Sequence, residues 1–170
     1  MPVYVALLRA VNVGGTGKLP MSDLKAMCVD AGFSGVRTYI ASGNVVFTSG
    51  LKVDQARSRL EQRLNAFAGK PVGVIMRTAG EMAQVLKDNP FPKAQPNRTV
   101  AIFFDRAPPA DTLTSITGHK DEELSLGDRE VYVHYGDGMA SSKLKIPAAR
   151  LGTARNMNTI AKLVELAGAE

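Results

Sequence analysis

The sequence has no tryptophan, one cysteine, two histidines and only 6% aromatic residues. A single thiol, Cys28, cannot close an internal disulfide. Two histidines, His119 and His134, cannot complete an ordinary zinc site without carboxylate help, so neither a metal centre nor a cofactor is expected. Cys28 falls on the apolar side of a predicted helix and reads as a small buried hydrophobe. The scarcity of aromatics and the lack of an RNA-binding aromatic motif argue against a base-stacking platform of the usual kind. No apolar run reaches the roughly 18 residues needed to span a bilayer, and Met1-Pro2-Val3-Tyr4 does not open a secretory signal. A cytoplasmic protein with no membrane association is the expectation. The absence of G-x-S-x-G removes the serine-hydrolase elbow.

What is there is an ordinary globular composition, 45% apolar and 22% charged over 170 residues, enough for one domain or two small ones. The net charge of +5 is uneven, at +6 for residues 1–78, −4 for 79–142 and +3 for 143–170. The two basic ends point to anionic partners, either a small molecule or a nucleic acid.

Periodicity divides the chain in two. Residues 3–10 form an apolar, β-prone run. Leu24, Met27, Cys28 and Ala31 recur at helical spacing between Pro20 and Gly32. The β-prone runs 36–41 and 44–48 flank Ser42-Gly43, a two-residue hairpin signal. Val53, Ala56, Leu60, Leu64 and Phe67 mark a second helical face, and 72–76 is a fourth strand. This βαββαβ order over residues 1–78 is the ferredoxin-like plan.

In residues 79–170, a capping box at Thr78-Ala79-Gly80-Glu81 starts a helix to about Lys87, and the prolines of "NPFPKAQP" end it. A strand at 99–104, a helix at 110–117, a hairpin of 120–126 with 130–135, and a last helix carrying Ile160, Leu163, Val164 and Ala167 read as βαββα. The expected class is α+β, with two ferredoxin-like α/β sandwich subdomains, βαββαβ and a βαββα variant.

"LLRAVNVGGTGKLP" invites comparison with the phosphate loop G-x-x-x-x-G-K-[ST], but Asn12 replaces the first glycine and Leu19 the magnesium-binding hydroxyl. A looser anion site remains. The glycines Gly14, Gly15 and Gly17 allow positive φ and aligned N–H groups, between Arg9 at the strand end and Lys18 before the helix. Antiparallel pairing of the first and third strands brings Ser42, Gly43 and Asn44 to the same rim. Near the C-terminus, "GTARNMNTIAKL" gathers Arg155, Asn156, Asn158 and Lys162 at the start of the last helix, where Thr153 or either asparagine is also an ordinary cap.

The motifs "LLRAVNVGG", "TYIASGNVVF", "NPF" and "GTARNMNTIAKL", in this order, resemble the bacterial family of domain of unknown function 1697. The resemblance implies a small α+β protein of ferredoxin-like halves and carries no activity or catalytic residues. Ala10 stands where that family usually has glycine, and Met157 where tryptophan often sits, which weakens base stacking at that point.

The functional expectation is a binding module for a phosphate-bearing anionic ligand, a nucleotide or a nucleic-acid backbone. The alternative is a small hydrolase of a phosphorylated or acyl-phosphate substrate, with Arg9 as anion clamp and Asn44 orienting water. An adaptor role for the proline-rich loop is the third possibility.

Overall fold

A computed structural model describes residues 1–9, 18–40, 43–136 and 142–168. The chain has the expected α+β class, helices with two four-stranded antiparallel sheets. It divides into two compact units, Met1–Ala83 with the C-terminal segment from Lys162, and Gln84–Ala161.

In the first unit, β1 (Val3–Leu8), α1 (Met21–Asp30), β2 (Ser34–Tyr39), β3 (Asn44–Thr48), α2 (Val53–Ala68) and β4 (Val74–Thr78) follow the predicted order. The sheet runs β2-β3-β1-β4, so β3 is inserted between the two strands that α1 connects. Every residue of β1 is buried, as an uninterrupted VYVALL run requires of a strand covered on both faces. Tyr4, Ala6 and Leu8 pack with Val45, Phe47 and Met76 against Leu24, Cys28, Leu60 and Leu64 of the two helices. Phe33 and Phe47 stack with ring centroids 4.1 Å apart. Each fully buried leucine contributes about 1.5–3 kcal/mol through apolar transfer. The opposite face, Val5, Leu7, Val46 and Ile75, is equally buried, and it includes two polar residues, Asn44 and Arg77.

The helix ends follow the sequence. α1 closes with Gly32 at φ 90 and the Phe33 N–H returning to the Cys28 carbonyl, a glycine-dependent stop. α2 buries Ala56, Leu60 and Leu64, whereas Val53 and Phe67, expected on the same face, lie exposed at its two ends. The predicted two-residue hairpin is longer. Tyr39 pairs with Asn44 and no described residue beyond that pair continues the ladder, because Ile40 (φ 50) and Gly43 (φ 89) have left the extended conformation.

The second unit differs more from expectation. α3 (Ala79–Lys87) is followed by β5 (Thr99–Phe103), β6 (Glu123–Leu126), β7 (Glu130–His134), β8 (Thr153–Asn156) and α4 (Met157–Gly168), and the division between the units falls within α3 and α4. The expected helix at 110–117 is a run of turns. Thr112 and Thr114 hydroxyls donate to the carbonyls of Pro109 and Asp111, the local side-chain competition that disfavours helix in Thr/Ser-rich segments. β8 was hidden in a segment whose Thr and Asn residues resemble caps. It pairs with β5 over Val100–Phe103, and Gly152 lets the chain pass close to the Phe103 carbonyl.

The second sheet, β6-β7-β5-β8, repeats the order of the first strand for strand. Its register repeats too: Tyr4–Thr78 and Val5–Arg77 correspond to Val100–Asn156 and Ala101–Arg155. Leu7–Asn44 likewise corresponds to Phe103–Glu130. Each fourth strand runs through a buried arginine and a cap straight into a helix, "RTAGEMAQVL" from Arg77 and "RNMNTIAKLV" from Arg155. Met82 and Val85 in one copy match Ile160 and Leu163 in the other, all four buried. The two sheets share one strand framework, and where the first has α1 and α2 between its strands, the described residues of the second show turns and a short 3-10 helix, Pro147–Leu151.

The caps are equivalent in function as in place. The Thr78 hydroxyl accepts from Glu81 N–H at 3.1 Å while Glu81 accepts from Thr78 N–H at 2.8 Å, and Asn156 Oδ1 accepts from Thr159 N–H at 2.9 Å. Thr78→Ala and Asn156→Ala are each expected to lower stability by about 1 kcal/mol, measured by urea unfolding. Loss in only one of the two variants would contradict their equivalence. Cys28 gives a second prediction, since burial pushes its thiol from an ordinary 9.0 up to about 12. It should resist alkylation in the native protein and react fully in urea. Because the unfolded thiol ionises first, its contribution to stability declines as pH rises from about 9 towards about 12.

Candidate functional site

β1 ends between two glycines. Leu8 N–H donates to the Gly43 carbonyl and Arg9 N–H to the Gly73 carbonyl, both at 2.9 Å. The Arg9 side chain lies across Gly73. A Cβ there would stand 3.0 Å from Arg9 Cδ and 3.3 Å from a guanidinium nitrogen. Gly73 therefore shapes the bed of the arginine, a role that sequence reading missed. The available signal was a glycine inside a predicted strand, 72–76, where close approach of another group is common.

Asn44 sits opposite Leu7. Cross-strand partners share a face, and Arg9, just past the end of β1 and still bonded to Gly73, is two residues on from Leu7. The carboxamide is fully buried, and its Nδ2 donates to the Tyr39 carbonyl at 2.9 Å. Tyr39 is in register with Asn44 on the other side, so one row runs Tyr39, Asn44, Leu7, Ile75 across four strands.

α1 begins at the same end of the sheet, because it terminates beside Ser34, in the row of Val3 and Thr48. Its N-cap, Pro20, has no side-chain acceptor for the first-turn N–H groups. Lys18, exposed, stands just before it. The first turn carries one acidic residue, Asp23, which offsets part of the dipole's attraction for an anion. Asn12, Gly14, Gly15, Gly17 and Ser42 lie outside the described residues.

The C-terminal candidates have structural employment in the second unit and α4. Arg155 is buried opposite Ala101, donating to Thr153 Oγ1 at 2.6 Å and to the Ala154 carbonyl at 2.9 Å. Desolvation lowers its pKa to about 10, which leaves it charged at neutral pH. Its counterpart Arg77 donates in the same way to the Met76 carbonyl at 2.9 Å, so this arginine belongs to both copies of the framework. Asn156 is the helix cap, Asn158 is exposed, and Lys162 lies 3.6 Å from Glu165. Arg9 and Asn44 have no such repetition. At the equivalent positions of the second sheet stand Asp105 and Glu130.

His134 lies in β7 with Glu123 3.5 Å away, and His119 contacts the Glu122 carbonyl. Among the described residues no group of three His, Cys, Asp or Glu is disposed to hold a metal ion. In "NPFPKAQP", Asn89 Oδ1 accepts from Phe91 N–H at 2.9 Å and the Phe91 ring faces His134, so the loop is anchored to its own unit.

The architecture defines an α+β protein of two antiparallel sheets. The chain belongs to the family described as Protein of unknown function (DUF1697), which matches residues 1–132. Among solved structures it is similar to the conserved bacterial protein SP0830 from Streptococcus pneumoniae, at 25% identity and a TM-score of 0.78 over 98% of each chain. No curated protein matches it.

Asn44→Ala would strip the Tyr39 carbonyl of its donor inside a buried row. A loss of about 1–3 kcal/mol is expected, measured by chemical unfolding. A change within error of zero would show that the carboxamide does not hold the hairpin.

Proposed function

We propose that this chain is a binding module for a phosphate-bearing anionic ligand, held at the end of β1 by Arg9 and Lys18. The observation that carries the reading is that a guanidinium bedded on Gly73 lies at the same end of the first sheet as the start of a helix whose N-cap, Pro20, has no side-chain acceptor. Backbone donors, helix polarity and cations then favour the same sign of charge. The +6 balance of residues 1–78 favours it too. The glycine loop between Arg9 and Lys18 would add N–H donors, and Ser42 a hydroxyl.

The hydrolase reading asks Asn44 to orient water. Its buried amide is already bonded to Tyr39, so binding without turnover fits better. A nucleic-acid backbone is the less favoured ligand, and its affinity would fall steeply with salt. The protein is taken to work in a bacterial cytoplasm. A reduced, buried thiol suits that compartment, and no helix among the described residues is long and apolar enough to cross a membrane.

Thermal unfolding with inorganic phosphate, nucleotides, acetyl phosphate and short RNA tests the reading. A ligand at about a hundred times its Kd stabilises by about 2.7 kcal/mol, several degrees for a chain of this size. Wild type should shift with at least one phosphate compound and Arg9→Ala should not. Product formation in the same mixtures would favour the hydrolase. Absence of any shift in wild type would remove the anion reading.

A further inference from the structure

Among the described residues, Ile40 is the one non-glycine with positive φ, at 50°. The left-handed conformation costs an L-residue about 1–2 kcal/mol, and β-branched residues are true outliers there. Glycine, asparagine or aspartate would fill the position with less strain. The isoleucine side chain is 47% exposed, so burial within the chain offsets only part of the cost. The turn does not relax, because Asn44 holds the Tyr39 carbonyl and Gly43 N–H reaches the Ile40 carbonyl at 3.4 Å. A strained, solvent-facing aliphatic residue fixed on a braced turn is a contact surface in search of an occupant.

The register says what kind. Ile40 follows Tyr39, in the row that crosses Asn44 to Leu7, at the end of the sheet where Arg9 emerges. Strands lie about 4.8 Å apart, so the backbones at Ile40 and Arg9 are about 10 Å apart, a gap that a nucleotide fills when side chains reach it from both ends. Tyr39, half-buried, lies on the Asn44 and Arg9 face, and its ring offers an apolar body with a hydrogen-bonding tip.

Building on the anion reading, we infer that Tyr39 and Ile40 receive the base of a nucleotide whose phosphate lies at Arg9, so that the ligand is a nucleotide and not a bare anion. Ile40→Asn separates the two requirements, keeping a residue tolerant of the backbone conformation while removing the apolar contact. Titration calorimetry with inorganic phosphate and with the four ribonucleoside monophosphates, alongside thermal unfolding, gives the readout. Wild type should bind at least one nucleotide about tenfold more tightly than phosphate. Ile40→Asn should melt higher, bind phosphate unchanged, and lose most of the nucleotide preference, and Ile40→Gly should behave the same way. Phosphate binding without nucleotide preference in wild type would overturn the inference and leave the anion reading standing. So would a variant that keeps the preference, or one that melts lower, since the side chain would then serve the fold. If neither phosphate nor nucleotide binds wild type, both readings fall together.

Discussion

The constraint on which the rest depends is that the first strand of each sheet is central and covered on both faces. β1 pairs with β3 and β4, β5 with β7 and β8, and every residue of both strands is buried. A strand so placed satisfies all its backbone groups from two neighbours, and it has nowhere to put a charge until it ends. Charge therefore appears as soon as each strand emerges, as Arg9 after β1 and as Asp105 soon after β5. The position of the candidate site follows from the topology. Its sign does not.

The repetition separates what the framework needs from what is particular to one sheet. The buried arginine of the fourth strand, the helix cap after it and the two apolar residues of the following turns recur after both sheets. Such residues are explained by folding alone. Arg9, Asn44, Gly73 and the strained Ile40 do not recur, and all four lie at one end of the first sheet. This division gives them a claim to function that polarity alone would not, since Arg155 is just as polar and answers to the framework.

The first unit was legible in the sequence because its signals are periodic and repeated: Leu24, Cys28, Leu60 and Leu64 at helical spacing, and glycine at both helix stops. The second was less so. "TARN" is four residues of mixed polarity, and nothing in it distinguishes an edge strand from the approach to a helix; its pairing with β5 is a tertiary fact. The 110–117 segment has helical spacing, but its hydroxyls take the backbone acceptors. Of the site, Arg9 and Asn44 could be singled out and brought to one rim by the antiparallel rule. Gly73 and Ile40 could not, because a bed for a side chain and a backbone sign are properties of three dimensions. Arg77 was passed over for a similar reason, since a basic residue near a strand end ordinarily faces water.

A twice-built scaffold raises the question of stoichiometry. Where the first copy presents a guanidinium at the tip of its central strand, the second presents the carboxylate of Asp105, exposed, and Glu130 replaces Asn44 in the neighbouring row. An anion held at the first tip, as proposed, would be repelled from the second. The geometry is repeated and the charge is not, so on the proposed reading a saturating isotherm for a phosphate ligand would count one molecule per chain.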